Sequence, residues 1–274
     1  MLTSNNNTSS NKHKPSIDNN EVMLGIILAI LAGFLFVSSD PVVKLARQDL
    51  PVAMVVWGRF TAHFLLMLFL FPGRKINKLF KVNNFKLVIF RGILLLLCTC
   101  LFFTAIGYIG LAEANSIMFI SPFFVVALSI PLLKEKVGIR RWSAVIIGFI
   151  GIVIILRPGF QEIHWAYFLI IGVAFFFALF TILTRTLSFT ETAISMWFYT
   201  ALVGMVGSSA IVWYYWQTPT LSQSLMLLFI GAIGGGSHYI VIKAYQRASA
   251  SMLAPFSIFS KKIFSTKNLQ VIHK

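Results

Sequence analysis

Acidic side chains are scarce in this sequence: 8 Asp and Glu stand against 23 Lys and Arg in 274 residues, a formal net charge of +15. Charged residues of either sign reach only 11%, while 58% are hydrophobic. Soluble domains carry about 25% charged residues, so this shortage excludes an ordinary globular fold. The apolar surface needs lipid as its solvent. The basic excess does not indicate nucleic acid, because a nucleic-acid binder gathers Lys and Arg on one soluble face. Here they fall in short groups between apolar runs, as they do in the cytoplasmic loops of membrane proteins. Cysteine is nearly absent too. Cys98 and Cys100 lie two residues apart, a spacing that points them to different sides of a helix, so they are not expected to pair. They read as small apolar packing residues. No metal-ligand spacing is present, and neither are the Gly-x-Ser-x-Gly, His-Glu-x-x-His and nucleotide fingerprints. Ser237 beside His238 makes a poor nucleophile and base, since sequence neighbours diverge on a helix. An enzyme is not expected, nor is a cofactor.

Long apolar runs are what the chain has in abundance. Crossing about 30 Å of hydrocarbon takes about 20 such residues, and eight segments qualify: 23–46, 52–72, 86–106, 113–133, 142–157, 164–184, 193–216 and 222–244. A ninth, 248–260, is cut short by Lys261 and Lys262. The expected fold is an all-α integral membrane protein with eight full transmembrane helices and an incomplete ninth. Residues 1–22 are rich in Asn and Ser without apolar period and read as a disordered cytoplasmic tail. The connecting loops are short and leave no room for a soluble catalytic domain.

Charge sets the orientation. With the N-terminus in the cytoplasm, the inside holds Lys12, Lys14, Arg74, Lys75, Lys78, Lys81, Lys86, Lys134, Lys136, Arg140, Arg141, Arg185, Lys243 and Arg247. The outside then holds only Arg47 and Arg157, which the positive-inside rule favours strongly. A faint repeat runs beneath the spans. "VVWGRFTA" (55–62) resembles "SMWFYTA" (195–201), and "LAEANSIMFISPFF" (111–124) resembles "RASASMLAPFSIF" (247–259). Units of five spans are odd in number, so the second copy must be inverted, a recurrent design of secondary transporters with the substrate site between the copies.

Three stretches carry a resemblance. "LLKEKVGIRRWSAVIIGFIGIVIILRPG" (132–159) is similar to the hallmark hairpin of the EamA family in the drug/metabolite transporter superfamily. The match falls on Glu135, Arg140, Arg141, Trp142, Gly148, Gly151, Arg157, Pro158 and Gly159. "FFTAIGYIGLAEANSIMFISP" (102–122) resembles the family's corner between spans three and four, and "IKAYQRASASMLAPF" (242–256) the matching corner of the second repeat. The resemblance implies ten spans in two inverted five-helix repeats, both termini in the cytoplasm, and carriage of small organic solutes. The repeats would fall at 23–159 (spans one to five) and 160–259 (spans six to eight and part of nine). Beyond about Phe259 the pattern stops, and 260–274 reads as a basic tail outside the family, lying at the cytoplasmic surface.

Function follows from that resemblance as an expectation: a secondary transporter of a small organic metabolite across the bacterial inner membrane by alternating access, rendered defective if truncation or a frameshift removes spans nine and ten. The alternatives are a non-transporting scaffold or regulatory protein, or a pseudogene product without activity. Expected partners are a small-molecule metabolite, a proton or counter-substrate, and the lipid bilayer. A homodimer fits the pattern; nucleic acid does not.

Ionisable side chains inside spans cost about 2.5–3.5 kcal/mol each on insertion scales and are functional candidates for that reason. Asp40 lies late in span one, with Lys44 four residues on and Pro41 able to bend the helix. Arg59 and His63 share one face of span two at i,i+4, with Asp40 the expected partner of Arg59. The alternative is a structural ion pair at the outer end. Trp57 and Trp197 occupy equivalent places in the two repeats and suit stacking on a planar solute, against packing or an interfacial belt. Tyr199, Ser237, His238 and Tyr239 are polar enough to line a cavity. Arg91 is expected to snorkel to the interface, and Glu113 to be solvated at the outer start of span four. "GAIGGGS" (231–237) reads as a close helix contact rather than a phosphate loop.

Overall fold

The computed structural model describes residues 19–71, 79–135 and 164–254, with a few isolated positions between 137 and 150. The first eighteen residues, most of the fifth predicted span and the tail from 255 onward lie outside the described residues. Inside a bilayer, backbone N–H and C=O groups must find their partners within the protein, and a helix does this within one segment. The apolar runs accordingly form α1 (Asn19–Asp49), α2 (Val52–Leu70), α3 (Phe85–Ala105), α4 (Leu111–Met118), α5 (Ser121–Leu133), α6 (Ala166–Leu187), α7 (Ala193–Val212) and α8 (Leu221–Arg247). Among the described residues, taking α4 and α5 as one broken span, seven helical segments are long and apolar enough to cross a membrane. The protein is all-helical in these residues.

Two boundaries differ from the sequence reading. α1 already includes residues 19–22, inside the stretch read as tail, and Glu21 there pairs with Arg247 (3.1 Å). The fourth span is not continuous. Phe119 and Ile120 interrupt it, and Pro122, near the start of α5, has no N–H to give the carbonyl of Met118.

Polar residues at the helix ends satisfy exposed backbone groups. Thr220 and Gln223 cap the start of α8 reciprocally, at 2.9 and 3.3 Å. Thr192 accepts from the backbone N–H of Ser195 at the start of α7. Glu191, buried, accepts from the backbone N–H groups of Asn83 and Asn84 just before α3. Glu113 accepts from the N–H of Gly110 and meets the hydroxyl of Tyr167; it caps α4 rather than standing free in solvent.

The helices pack in pairs that exchange when the two halves of the chain are exchanged. α1 lies along α8 as α3 lies along α6; α2 lies against α8 as α7 lies against α3; α2 and α7 pack on each other. Lipid tails are as apolar as Leu, so close packing and interhelical hydrogen bonds must supply this association. The glycine-rich stretch of α8 is one such contact. A Cβ at Gly231 would sit 2.4 Å from the Cβ of Ala62 and 2.6 Å from the carbonyl oxygen of Arg59. Only glycine lets α2 approach so near.

Arg91 departs most from expectation. It does not reach for the interface: it is 0% exposed. Its guanidinium donates to Thr184 Oγ1 (2.7 Å), Thr200 Oγ1 (2.5 Å) and the carbonyl of Met196 (3.3 Å), with Cζ 4.3 Å from the ring centroid of Phe180. Its partners belong to α6 and α7, so it ties the first half of the chain to the second.

Candidate cavity between the helices

A cavity of about 150 Å³ lies among α1, α2, α3, the α4–α5 break, α6 and α8. Most of its wall is apolar, with Phe36, Phe102, Phe103, Phe119 and Phe177 supplying aromatic faces. Against that background stand four polar side chains of specific chemistry: Asp40, Arg59, Asn115 and His238. A pocket largely apolar with a few convergent polar groups is the usual form of a small-molecule site.

Each polar group is held in place. Arg59 projects from α2 where the Gly231–Gly235 stretch of α8 crosses it; a Cβ at Gly234 would lie 3.2 Å from its Nε. Its Nη2 is 3.1 Å from Nε2 of His238, and its Cζ lies 5.4 Å from the Phe103 centroid and 5.8 Å from that of Phe60. His238 is further wedged edge-on between Phe36 (4.8 Å) and Phe180 (5.7 Å). Asp40 comes from α1 immediately before Pro41, inside a helix that continues through the proline. Oδ2 of Asp40 accepts from Nδ2 of Asn115 at 3.1 Å, which fixes the amide of α4 beside the break. Ser121, Pro122 and Met118 bring the interrupted backbone itself to the wall.

Of the seven side chains singled out from the sequence, the structure gathers Asp40, Arg59 and His238 in one wall. The other four lie elsewhere. His63 is buried beside Trp197, ring centroids 5.2 Å apart. Trp197 is buried as well, its Nε1 donating to the carbonyl of Gly235 at 2.7 Å. Tyr199 places its hydroxyl 3.4 Å from the carbonyl of Phe80. Trp57 donates to Ser209 and meets Trp216 edge-on at 5.4 Å. The two tryptophans do hold matching places, five or six residues into α2 and α7. Those helices run in opposite directions, however, so Trp57 falls near one end of the molecule and Trp197 near the other. Neither is in the cavity wall.

Ser237 donates to the carbonyl of its own helix at Ile233 (2.6 Å), while His238 turns to Arg59, so the two do not form a nucleophile and base. Cys98 is in the wall as a free thiol, and Cys100 is free also. Among the described residues no three His, Cys, Asp or Glu side chains are grouped to hold a metal ion. Sequence reasoning did not select Asn115 for the site. The signal available was an amide just inside an apolar run, four residues before the break at Phe119.

Comparison with known proteins agrees with the fold. Residues 23–157 match the EamA-like transporter family. An S-adenosylmethionine uptake transporter of Rickettsia bellii (strain RML369-C) is 30% identical over 168 residues, 61% of this chain and 58% of that protein. The chain therefore spans less than two thirds of the length of that relative. A riboflavin transporter of Vibrio cholerae serotype O1 is 28% identical over 250 residues, 89% of this chain and 81% of that protein. A crystal structure superposes with a TM-score of 0.72 at 18% identity, covering 92% of this chain and 88% of that one; at that identity the likeness concerns the fold alone.

Proposed function

We propose that this chain, whose residues 23–157 match the EamA-like transporter family, is a secondary transporter of a small organic metabolite. It works by alternating access between its two halves, in a bacterial inner membrane with the N-terminus in the cytoplasm. The observation that carries this reading is the cavity itself: one cation, Arg59, and one anion, Asp40, set in an aromatic wall to which both halves contribute. Ionisable groups at membrane depth are expensive and are kept for substrate or ion pathways. A broken helix beside them is the usual way such sites expose backbone polar groups to a solute. A scaffold protein needs neither feature.

Arg59 and Asp40 bind opposite charges on the solute, and the phenylalanines cover its planar part. The S-adenosylmethionine and riboflavin carried by the relatives are both planar heteroaromatic solutes with polar appendages, and that class suits this wall. His63, Trp57, Trp197 and Tyr199 act through packing in this reading. The test is exchange of labelled riboflavin and labelled S-adenosylmethionine in proteoliposomes containing the full chain. Exchange of at least one solute is expected, and Arg59→Gln or Asp40→Asn lowers it about tenfold or more. No exchange of either, or full exchange in both variants, contradicts the proposal.

A further inference from the structure

Two residues that line the cavity each carry one buried side-chain atom without a hydrogen-bond partner: Oδ1 of Asn115 and Nδ1 of His238. Their chemistry is fixed by what sits on their other side. A guanidinium has five N–H donors and no acceptor. With Nη2 of Arg59 3.1 Å from Nε2 of His238, Nε2 must carry the lone pair. The imidazole is then neutral and its proton is on Nδ1. A carboxylate only accepts. With Oδ2 of Asp40 3.1 Å from the Asn115 amide, the NH₂ must face Asp40, and the amide oxygen is left over. Each charged residue thus orients a neutral one. Arg59 makes His238 a donor, and Asp40 makes Asn115 an acceptor.

An unpaired buried polar atom costs about 1–3 kcal/mol, and such atoms in a native fold call for an explanation. Two of them, of opposite sense, in one apolar aromatic cavity are explained by a ligand that completes both. We infer that Asn115 and His238 are specificity-determining residues that read a paired donor and acceptor on the rim of a planar heteroaromatic solute. The class is an N–H next to a ring carbonyl or ring nitrogen, as on a nucleobase or a cyclic imide. The solute's N–H donates to Asn115 Oδ1, its ring carbonyl or nitrogen accepts from His238 Nδ1–H, and its faces lie among Phe36, Phe102, Phe103, Phe119 and Phe177. Arg59 and Asp40 are positioning residues for this pair in addition to any charge they offer the solute. The inference rests on the transporter reading and narrows its substrate class.

A site built to hydrogen-bond a group rejects analogues that lack it far more strongly than an apolar pocket does. The experiment measures exchange in proteoliposomes of the full chain for four probes: riboflavin, its N3-methyl derivative, adenosine and phenylalanine. The wild-type chain is expected to exchange riboflavin or adenosine at least about tenfold faster than N3-methylriboflavin and phenylalanine. Asn115→Leu and His238→Phe are each expected to bring that preference to within about twofold. The analogue comparison needs only the wild-type chain, so a variant that fails to fold does not remove the test. Equal exchange of all four probes overturns the inference while leaving a transporter, as does a preference that survives both substitutions. No exchange of any probe overturns the transporter reading along with it.

Discussion

Arg91 and Arg59 are the same residue type at membrane depth, yet they do different work. Arg91 has three hydrogen bonds to the second half of the chain and a ring beneath it; Arg59 faces the cavity with one histidine as its neighbour. Both stood out in the sequence because a lone charge in an apolar run is costly. Sequence position alone suggested that Arg91 escapes to the interface. Its actual partners, Thr184 and Thr200, are about a hundred residues away, and hydroxyls in an apolar helix give no sign of whom they serve. Asn115 was obscure for the same reason, since its role depends on Asp40. Replacing Arg91 by Ala removes a large buried side chain and every bond it makes across the halves. Large-to-small changes at buried sites cost about 2–5 kcal/mol. The variant is expected to melt several degrees below wild type in detergent, and an unchanged melting temperature would show that Arg91 does not join the halves.

At the scale of the helix, the apolar runs predicted most spans to within a few residues, because in lipid the length of the run and the length of the helix are set by the same thickness. The break at Phe119–Ile120 was missed. It leaves hydropathy unchanged, and the only local mark is Pro122, which sits at the first turn of α5 where proline is tolerated. The glycine-rich piece of α8 was legible as a packing surface, but not as the surface that positions Arg59. Gly231→Leu would put a side chain where Ala62 and the backbone of Arg59 already stand. Overpacking of this kind costs about 1–3 kcal/mol. Nothing lies within 4 Å of a Cβ at Gly236, five residues along the same helix. Thermal unfolding of Gly231→Leu beside Gly236→Ala should therefore show a clear loss in the first and little change in the second. Equal behaviour would mean that the crossing is looser than described.

Polar and aromatic contacts join the halves at both ends of the molecule. Where the N-terminus of α1 lies, polar bonds join the halves: Glu21 with Arg247, Glu191 with Asn83 and Asn84, and Glu135 with the backbone N–H and hydroxyl of Ser251. That end also carries aromatic pairs across the halves, Phe80 on Phe198 and Phe85 on Tyr199, and the far end has both kinds, Trp57 with Trp216 and Ser209, Tyr108 on Trp165, and Tyr167 with Glu113. The expected repeat is faint in the sequence. The matched stretches 55–62 and 195–201 nevertheless lie on α2 and α7, helices that pack on each other. If the halves rock against one another, one end must open as the other closes, and the cavity must be reachable in turn from both sides. Phe119, at the helix break and in the cavity wall, is the place to test this, as Phe119→Cys in a Cys98→Ser, Cys100→Ser background. The decisive measurement is labelling of that thiol by a small membrane-impermeant methanethiosulfonate, applied to right-side-out and then to inside-out vesicles. The account predicts labelling from both sides. Labelling from one side alone would contradict it.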